Sequence, residues 1–215
     1  MKAAPLGKGP TSPFAPAPIE KVIAIIEKEK PDLVFATHVE TSAGMMLPES
    51  YIKAIADAVH KEGGMMVLDC IASGSMWVDM KECGVDILIS APQKGWSSSP
   101  CCALVMMSEL ARKKIQDTVS TSFSCDLKKW LQIMEEYEDG RFAYHATMPT
   151  DSLRRMRDMM KELDETMGFD TAKRRQQELG DKVRSLLAAY GICSVAAEGF
   201  QAPGVIVSYT NDPTI

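Results

Sequence analysis

The sequence has no long apolar run and no long basic run. No apolar stretch approaches the ~18 residues of a membrane-spanning helix, and residues 1–10 lack the apolar segment of a signal peptide. The 24 basic and 29 acidic side chains are interspersed, with a formal net charge of −5. Because nucleic acid selects concentrated positive charge, it is a poor candidate partner. These absences predict a cytoplasmic protein that binds neither membranes nor nucleic acid.

Metal-binding patterns are also missing. Six cysteines stand at positions 70, 83, 101, 102, 125 and 193, and none forms a CxxC pair. Cys101 and Cys102 are adjacent, which suits neither a shared zinc site nor an ordinary disulfide. With only three scattered histidines, we predict no metal site. Reduced and mostly buried thiols are the expectation for such a chain.

Apolar runs alternate with helical patterns over the first two thirds of the chain. Hydrophobic residues make up 46% of the sequence, enough for a packed core. Short apolar runs predict strands at 33–36, 65–68, 85–89 and 103–107, and apolar spacing predicts helices over 19–30 and from Pro48 to Gly63. This order predicts an α/β fold with a mostly parallel sheet.

The last third reads differently. Residues 119–149 are predicted to be irregular, 151–167 and 171–189 to be long helices, and 192–195 and 205–208 to be strands. We therefore expect residues 1–150 to be part of a large domain and 151–169 a connecting helix. Residues 170–215 would start a small, incomplete α+β C-terminal domain.

Two predicted strands end at residues that can carry chemistry. Asp69 follows the strand at 65–68, and Lys94 follows the strand at 85–89. Because parallel strands end at one edge of a sheet, where ligands bind, both side chains are predicted to share one site. An acid after an apolar strand costs free energy unless a group pairs with it, and an arginine or a helix N-terminus is one possible partner. A lysine for a Schiff base and a carboxylate for a pyridinium nitrogen are what pyridoxal 5′-phosphate (PLP) needs.

Four segments together resemble class V aminotransferases. They are Thr37–Gly44 (THVETSAG), Leu68–Ser73 (LDCIAS), Ser90–Lys94 (SAPQK) and Tyr144–Thr147 (YHAT). The branch that they resemble most is that of the alanine–glyoxylate and serine–pyruvate aminotransferases. The resemblance implies the fold of PLP-dependent transferases of type I, as in aspartate aminotransferase.

The resemblance also implies roles for single residues. Lys94 would be the Schiff-base lysine, and Asp69 the partner of the pyridinium nitrogen. Thr41 would lie near the phenolic oxygen of the ring or near the substrate, Ile71 under the ring, and Gln93 at the phosphate. The implied reaction moves an amino group from a small amino acid, of the alanine or serine type, to a 2-oxo acid such as glyoxylate or pyruvate.

A second copy of the chain is implied as well, because family members share active sites across a homodimer. Tyr144 and Thr147 would reach the phosphate of the neighbouring subunit's cofactor. A core position for Tyr144, a turn-forming role for Thr41 and Ser42, and a structural role for His145 remain open.

Some parts of the family pattern are missing. In the family, the glycine- and serine-rich phosphate loop and the aromatic that stacks on the ring belong to an earlier segment. A late arginine of the family binds the substrate carboxylate, but the last arginine of this sequence, Arg184, falls inside a predicted helix. We therefore expect this chain by itself to bind PLP weakly and not to transaminate. Two alternatives stay open. One is a cysteine-desulfurase-like enzyme. Two features speak against it: Gln93 precedes the lysine where those enzymes usually have histidine, and Cys193 lacks the glycine- and serine-rich setting of their mobile cysteine loop. The other is a non-catalytic homologue that acts only as an assembly partner.

Overall fold

A computed structural model describes residues 2–210 of the chain. The strands are β1 (Ala4–Pro5), β2 (Phe14–Ala15), β3 (Leu33–Thr37), β4 (Val39–Glu40), β5 (Met45–Met46), β6 (Met65–Asp69), β7 (Ile87–Ser90) and β8 (Leu104–Met107). The helices are α1 (Ile19–Glu29), α2 (Glu49–Lys61), α3 (Met80–Cys83), α4 (Glu109–Ile115), α5 (Leu127–Glu138), α6 (Thr150–Thr166) and α7 (Phe169–Ala189).

A four-stranded sheet in the order β3-β6-β7-β8 organises the first half. Strands β3, β6 and β7 are parallel, and β8 runs antiparallel to β7. The register aligns Thr37 with Asp69 and Asp69 with Ile89. The carboxyl ends of three strands therefore lie at one edge, as the sequence predicts for a mostly parallel sheet.

Helices α1 and α2 cover one face of this sheet. The side chains of Ile52, Val59, Met66 and Leu68 are fully buried in the resulting core. Pro48 precedes α2 directly, which suits a residue whose ring fixes a helix-compatible φ and which has no N–H to satisfy. The other face is more open, since Phe35 on β3 is 70% exposed.

Two predictions of secondary structure are wrong. Residues 119–149, predicted to be irregular, contain helix α5. Asp126 caps its start, since its side chain accepts a 3.0 Å hydrogen bond from the Lys129 N–H. Residues 192–195 and 205–208 do not form strands, and a single bridge joins Ser194 to Ser208. The guanidinium of Arg184 donates to the carbonyls of Ala202 and Val205 at 2.5 and 3.3 Å, which occupies acceptors that a strand ladder would use.

The N-terminal segment, which is rich in proline and glycine, pairs with the far end of the described chain. Strand β2 pairs with β1, and Phe14 also exchanges backbone hydrogen bonds with Val195 and Ala197 near the end of the described chain. Phe14 and Val195 pack there against a small second core of Ala43, Met45 and Ala196. The domain boundaries expected from the sequence stay a prediction.

The thiols are less buried than expected. All six cysteines are free, but only Cys70 and Cys83 are buried. Within residues 2–210, no group of three or more metal-ligating side chains comes together. No helix in that range is long and apolar enough to cross a membrane.

Candidate active site

Asp69 ends the central strand β6 at the carboxyl edge of the sheet. Its Oδ1 accepts a 2.9 Å hydrogen bond from the Ile71 N–H, and its backbone carbonyl accepts one of 2.8 Å from the His38 N–H. In the part of the chain that the structure describes, neither an arginine nor a helix N-terminus bonds this carboxylate. Among the described residues no cation pairs with it, so its second oxygen is left for another group.

Lys94 lies in a turn four residues beyond the end of β7, and it is exposed. Its carbonyl accepts a 3.0 Å hydrogen bond from the Ser97 N–H, which closes the turn. Ser97 has a φ of 56°, a left-handed conformation that costs free energy for a residue other than glycine. In the described part of the chain, the ammonium of Lys94 has no hydrogen bond or ion pair. A strained turn therefore presents an unpaired amine.

The loops that follow Asp69 and Lys94 touch each other directly. A Cβ built on Gly95 would lie 2.5 Å from the Cα of Gly74, much closer than carbon atoms pack. Only a glycine at position 95 permits this approach of backbone to backbone. The contact places the lysine turn against the segment that begins at Asp69.

Three aromatic rings close around this contact. The ring centroids of Trp77 and Trp96 lie 4.7 Å apart, and both rings meet Phe169 nearly edge to face, at 5.5 and 6.2 Å. The indole N–H of Trp77 donates to the carbonyl of Phe169 at 3.0 Å. We call these three residues the aromatic cluster.

His38 joins the loop after β3 to the loop after β6. The Nδ1 of His38 and the Oγ of Ser73 form a 2.7 Å hydrogen bond, and both residues are buried. Burial, with the nearby positive charge of Lys173, lowers the pKa of His38 to about 4. The imidazole is therefore neutral at physiological pH. It bonds the Ser73 end of the Asp69–Ser73 turn, while the backbone N–H of His38 bonds the Asp69 end.

The other residues of the sheet edge that were predicted to bind the cofactor differ in their exposure to solvent. Ile71, two residues after Asp69, is half-buried, whereas Gln93 and Thr41 are exposed. Thr41 lies in the hairpin between β4 and β5, where Ser42 donates to the carboxylate of Glu40 from its N–H and its hydroxyl. These bonds lower the pKa of Glu40.

Tyr144 and Thr147 lie together on the surface. Their hydroxyl oxygens are 3.1 Å apart, and Tyr144 is 74% exposed, so it is not a core aromatic. His145 packs between the rings of Phe123 and Trp130, with centroids 4.1 and 4.9 Å away, and its Nε2 bonds the carbonyl of Phe123. These contacts give His145 a structural role.

Sequence reasoning missed the residues that hold the two loops together. The aromatic cluster joins residues far apart in the chain, and no spacing rule links them. A usable signal is the rarity of tryptophan: two of the three tryptophans flank the loops of Asp69 and Lys94. The buried Ser98 hydroxyl, which has no hydrogen-bond partner within residues 2–210, was also missed.

Comparison with known proteins identifies the family. Residues 14–210 match the family model described as aminotransferase class-V, and the chain belongs to this family. It is 29% identical over 191 residues to an alanine–glyoxylate aminotransferase of Callithrix jacchus, an alignment that covers 87% of this chain and 44% of that protein. It is 28% identical over 175 residues to a 2-aminoethylphosphonate–pyruvate transaminase of Bacteroides fragilis, covering 80% of this chain and 46% of that protein.

The fold agrees with this assignment. A crystal structure of an alanine–glyoxylate aminotransferase from Nostoc sp. superposes with a TM-score of 0.76 at 22% identity, covering 87% of this chain and 48% of that one. The fold is therefore that of the type I PLP-dependent transferases. The chain spans about half the length of the curated relatives that it matches.

Proposed function

We propose that this protein takes part in PLP-dependent transamination between a small amino acid and a 2-oxo acid, with Lys94 and Asp69 as the residues that hold the cofactor. One observation carries the proposal. An amine and a carboxylate, each without an ionic partner in the described chain, stand on two touching loops at the carboxyl edge of a parallel sheet.

The residues present fit the cofactor chemically. Within residues 2–210, Asp69 keeps one carboxylate oxygen free of the turn, and the buried Ser98 hydroxyl four residues after Lys94 lacks a partner. Buried polar groups normally have hydrogen-bond partners, so a buried hydroxyl without one requires an explanation. Groups left unsatisfied at one place in a chain are consistent with a polar ligand that completes them.

The bound cofactor supplies an electron sink for the bond broken at the substrate α-carbon. Asp69 would offer a negative charge to the ring nitrogen, and Lys94 would hold the cofactor through its ε-amine. When free, the Lys94 amine would take the proton from the substrate α-carbon as a general base. Ile71 would contact the cofactor, and Gln93 and Thr41 would bind polar atoms of the cofactor or substrate.

We infer that the protein acts as a homodimer. Tyr144 and Thr147 lie side by side and exposed, and Phe142 beside them is 84% exposed. Large exposed aromatics in one region are typical of interaction surfaces. Light scattering on the purified chain measures the mass in solution, and a monomer at all concentrations would contradict the inference.

Covalent labelling of Lys94 tests the function. The chain is incubated with PLP, reduced with borohydride, digested and mapped by mass spectrometry. We expect the label on Lys94 even where the chain turns over no substrate. A label on other lysines with Lys94 unmodified, or a Lys94→Arg variant labelled to the same extent, contradicts the proposal.

Asp69→Asn supplies the matched variant. The amide cannot offer the charge that holds the ring nitrogen protonated, and a hydrogen bond to a charged group contributes about 1.5–3 kcal/mol. We therefore expect PLP affinity to fall by about tenfold or more. Asp57→Asn, which changes an exposed carboxylate paired with Lys53 on α2, is the control. Turnover is assayed with alanine and glyoxylate, and with 2-aminoethylphosphonate and pyruvate, to separate the two substrate classes.

A further inference from the structure

The aromatic cluster connects the lysine turn to the beginning of α7. Trp96 stands two residues after Lys94, Trp77 three residues after Gly74, and Phe169 is the first residue of α7. The cluster therefore joins three segments that are distant in the sequence. Two of these segments are the loops that carry Asp69 and Lys94.

One face of α7 is fastened to the loop after β6. Phe169, Lys173 and Gln176 follow each other at the spacing of one helix face. Lys173 donates to the Trp77 carbonyl at 3.0 Å, and the side chain of Gln176 accepts a 2.5 Å hydrogen bond from the Ser75 N–H. The first two turns of α7 thus fix the loop against which the lysine turn packs.

The lysine turn has little support of its own. Its backbone hydrogen bonds are those from Ser97 to Lys94 and from Ser98 to Pro92, each 3.0 Å long. The left-handed conformation of Ser97 opposes the turn, and such strain persists only where the surroundings impose it. The ring of Trp96 packs against Trp77 and Phe169, and its indole N–H donates a long hydrogen bond of 3.4 Å to the Ser90 hydroxyl.

We propose that Phe169 positions Lys94 through Trp96, so that the contact of α7 with the loop after β6 sets the conformation of the lysine turn. Phe169 is a positioning residue here, since it touches Trp96 and not the reacting amine. The role of the positioned amine rests on the proposed function, but the coupling itself does not. A displacement of α7 would remove the Phe169 ring from Trp96, leave Trp96 with only Trp77 and the long bond to Ser90, and so weaken the packing that holds the strained turn.

Hydrogen exchange followed by mass spectrometry tests the coupling without cofactor. In Phe169→Leu, which keeps apolar volume but loses two edge-to-face ring contacts, we expect the two hydrogen-bonded amides of segment 94–98, those of Ser97 and Ser98, to exchange about tenfold faster. Exchange in β6, at residues 65–69, should stay unchanged. The Leu179→Ala variant, at a 63% exposed position of the same helix, is the control and should match wild type in both segments.

A second readout follows Lys94 itself. Trace acetylation at several pH values reports the reactivity of each lysine, and that of Lys94 should change in Phe169→Leu but not in Leu179→Ala. Unchanged exchange at 94–98, or an equal rise at 65–69, overturns the proposal. If wild type takes no PLP label at Lys94 while the coupling is observed, the proposed function fails and the positioning of the turn stands.

Discussion

Replacing Gly95 by alanine forces apart the two loops that carry Asp69 and Lys94. The added Cβ would lie 2.5 Å from the Cα and from the carbonyl carbon of Gly74. Carbon atoms pack at about 3.5–4.0 Å, so the loops would have to separate by roughly 1 Å. Because both contact atoms are backbone, no side-chain rotation can relieve the clash.

The magnitude follows from what surrounds the contact. Overpacking of this kind costs about 1–3 kcal/mol. The backbone of Gly74 cannot move away from residue 95 easily, because its neighbours are held by hydrogen bonds: Ser75 to Gln176 on α7, and Trp77 to Phe169. We therefore expect the free energy of unfolding to fall by about 2–3 kcal/mol, the upper part of the range.

Urea unfolding measures this loss. With a slope of about 2 kcal/mol per molar urea, the midpoint should fall by about 1 M. Gly9→Ala is the matched control, because its added Cβ would meet the nearest atom, the Ser12 Oγ, at an ordinary 3.5 Å. The reasoning is refuted if Gly95→Ala and Gly9→Ala unfold at the same urea concentration.

Three further changes are expected to act through stability. Burial lowers the pKa of His38 from 6.5 to about 4, so between these pH values the unfolded chain binds more protons than the folded chain, and the free energy of unfolding falls as the pH drops. In His38→Asn this acid-induced loss of stability should be smaller by up to about 3 kcal/mol. Parallel stability–pH profiles of the variant and the wild type would contradict this. Asp86 is buried and its carboxylate accepts three hydrogen bonds, so Asp86→Asn should lose about 3 kcal/mol in urea unfolding, and an unchanged midpoint would contradict this. Ser97→Val places a β-branched residue at positive φ and should lose about 1–2 kcal/mol more than Ser99→Val, equal losses being the opposing result.

The strand-end residues could be predicted because their placement depends on local pattern. A short apolar run fixes the length of a buried strand, and the parallel order of such strands fixes which end carries the next loop. Asp69 and Lys94 follow from these two rules. The register that aligns Thr37, Asp69 and Ile89 at one edge agrees with that reasoning.

The rest of the site depends on contacts between distant segments. Nothing local distinguishes Gly95, which permits the close loop contact, from a glycine that merely ends a turn. Phe169 looks like the first apolar residue of an amphipathic helix, and its contact with Trp96 is a property of the packed fold. Helix α5 was not predicted because, of its side chains, only Ile133 is buried. The spacing of apolar residues that indicates a helix is therefore weak in this segment.

Stability alone does not account for the charges at the sheet edge. The buried polar residues elsewhere in the described chain are satisfied within it: His38 bonds Ser73, and Asp86 bonds three donors. By contrast, Lys94 has no side-chain partner there and Asp69 uses a single oxygen, while strain at Ser97 is retained beside them. Water solvates the exposed Lys94 ammonium, but folding alone gives no physical reason to keep a residue other than glycine at a positive φ in its turn. A ligand that pairs with both charges supplies that reason.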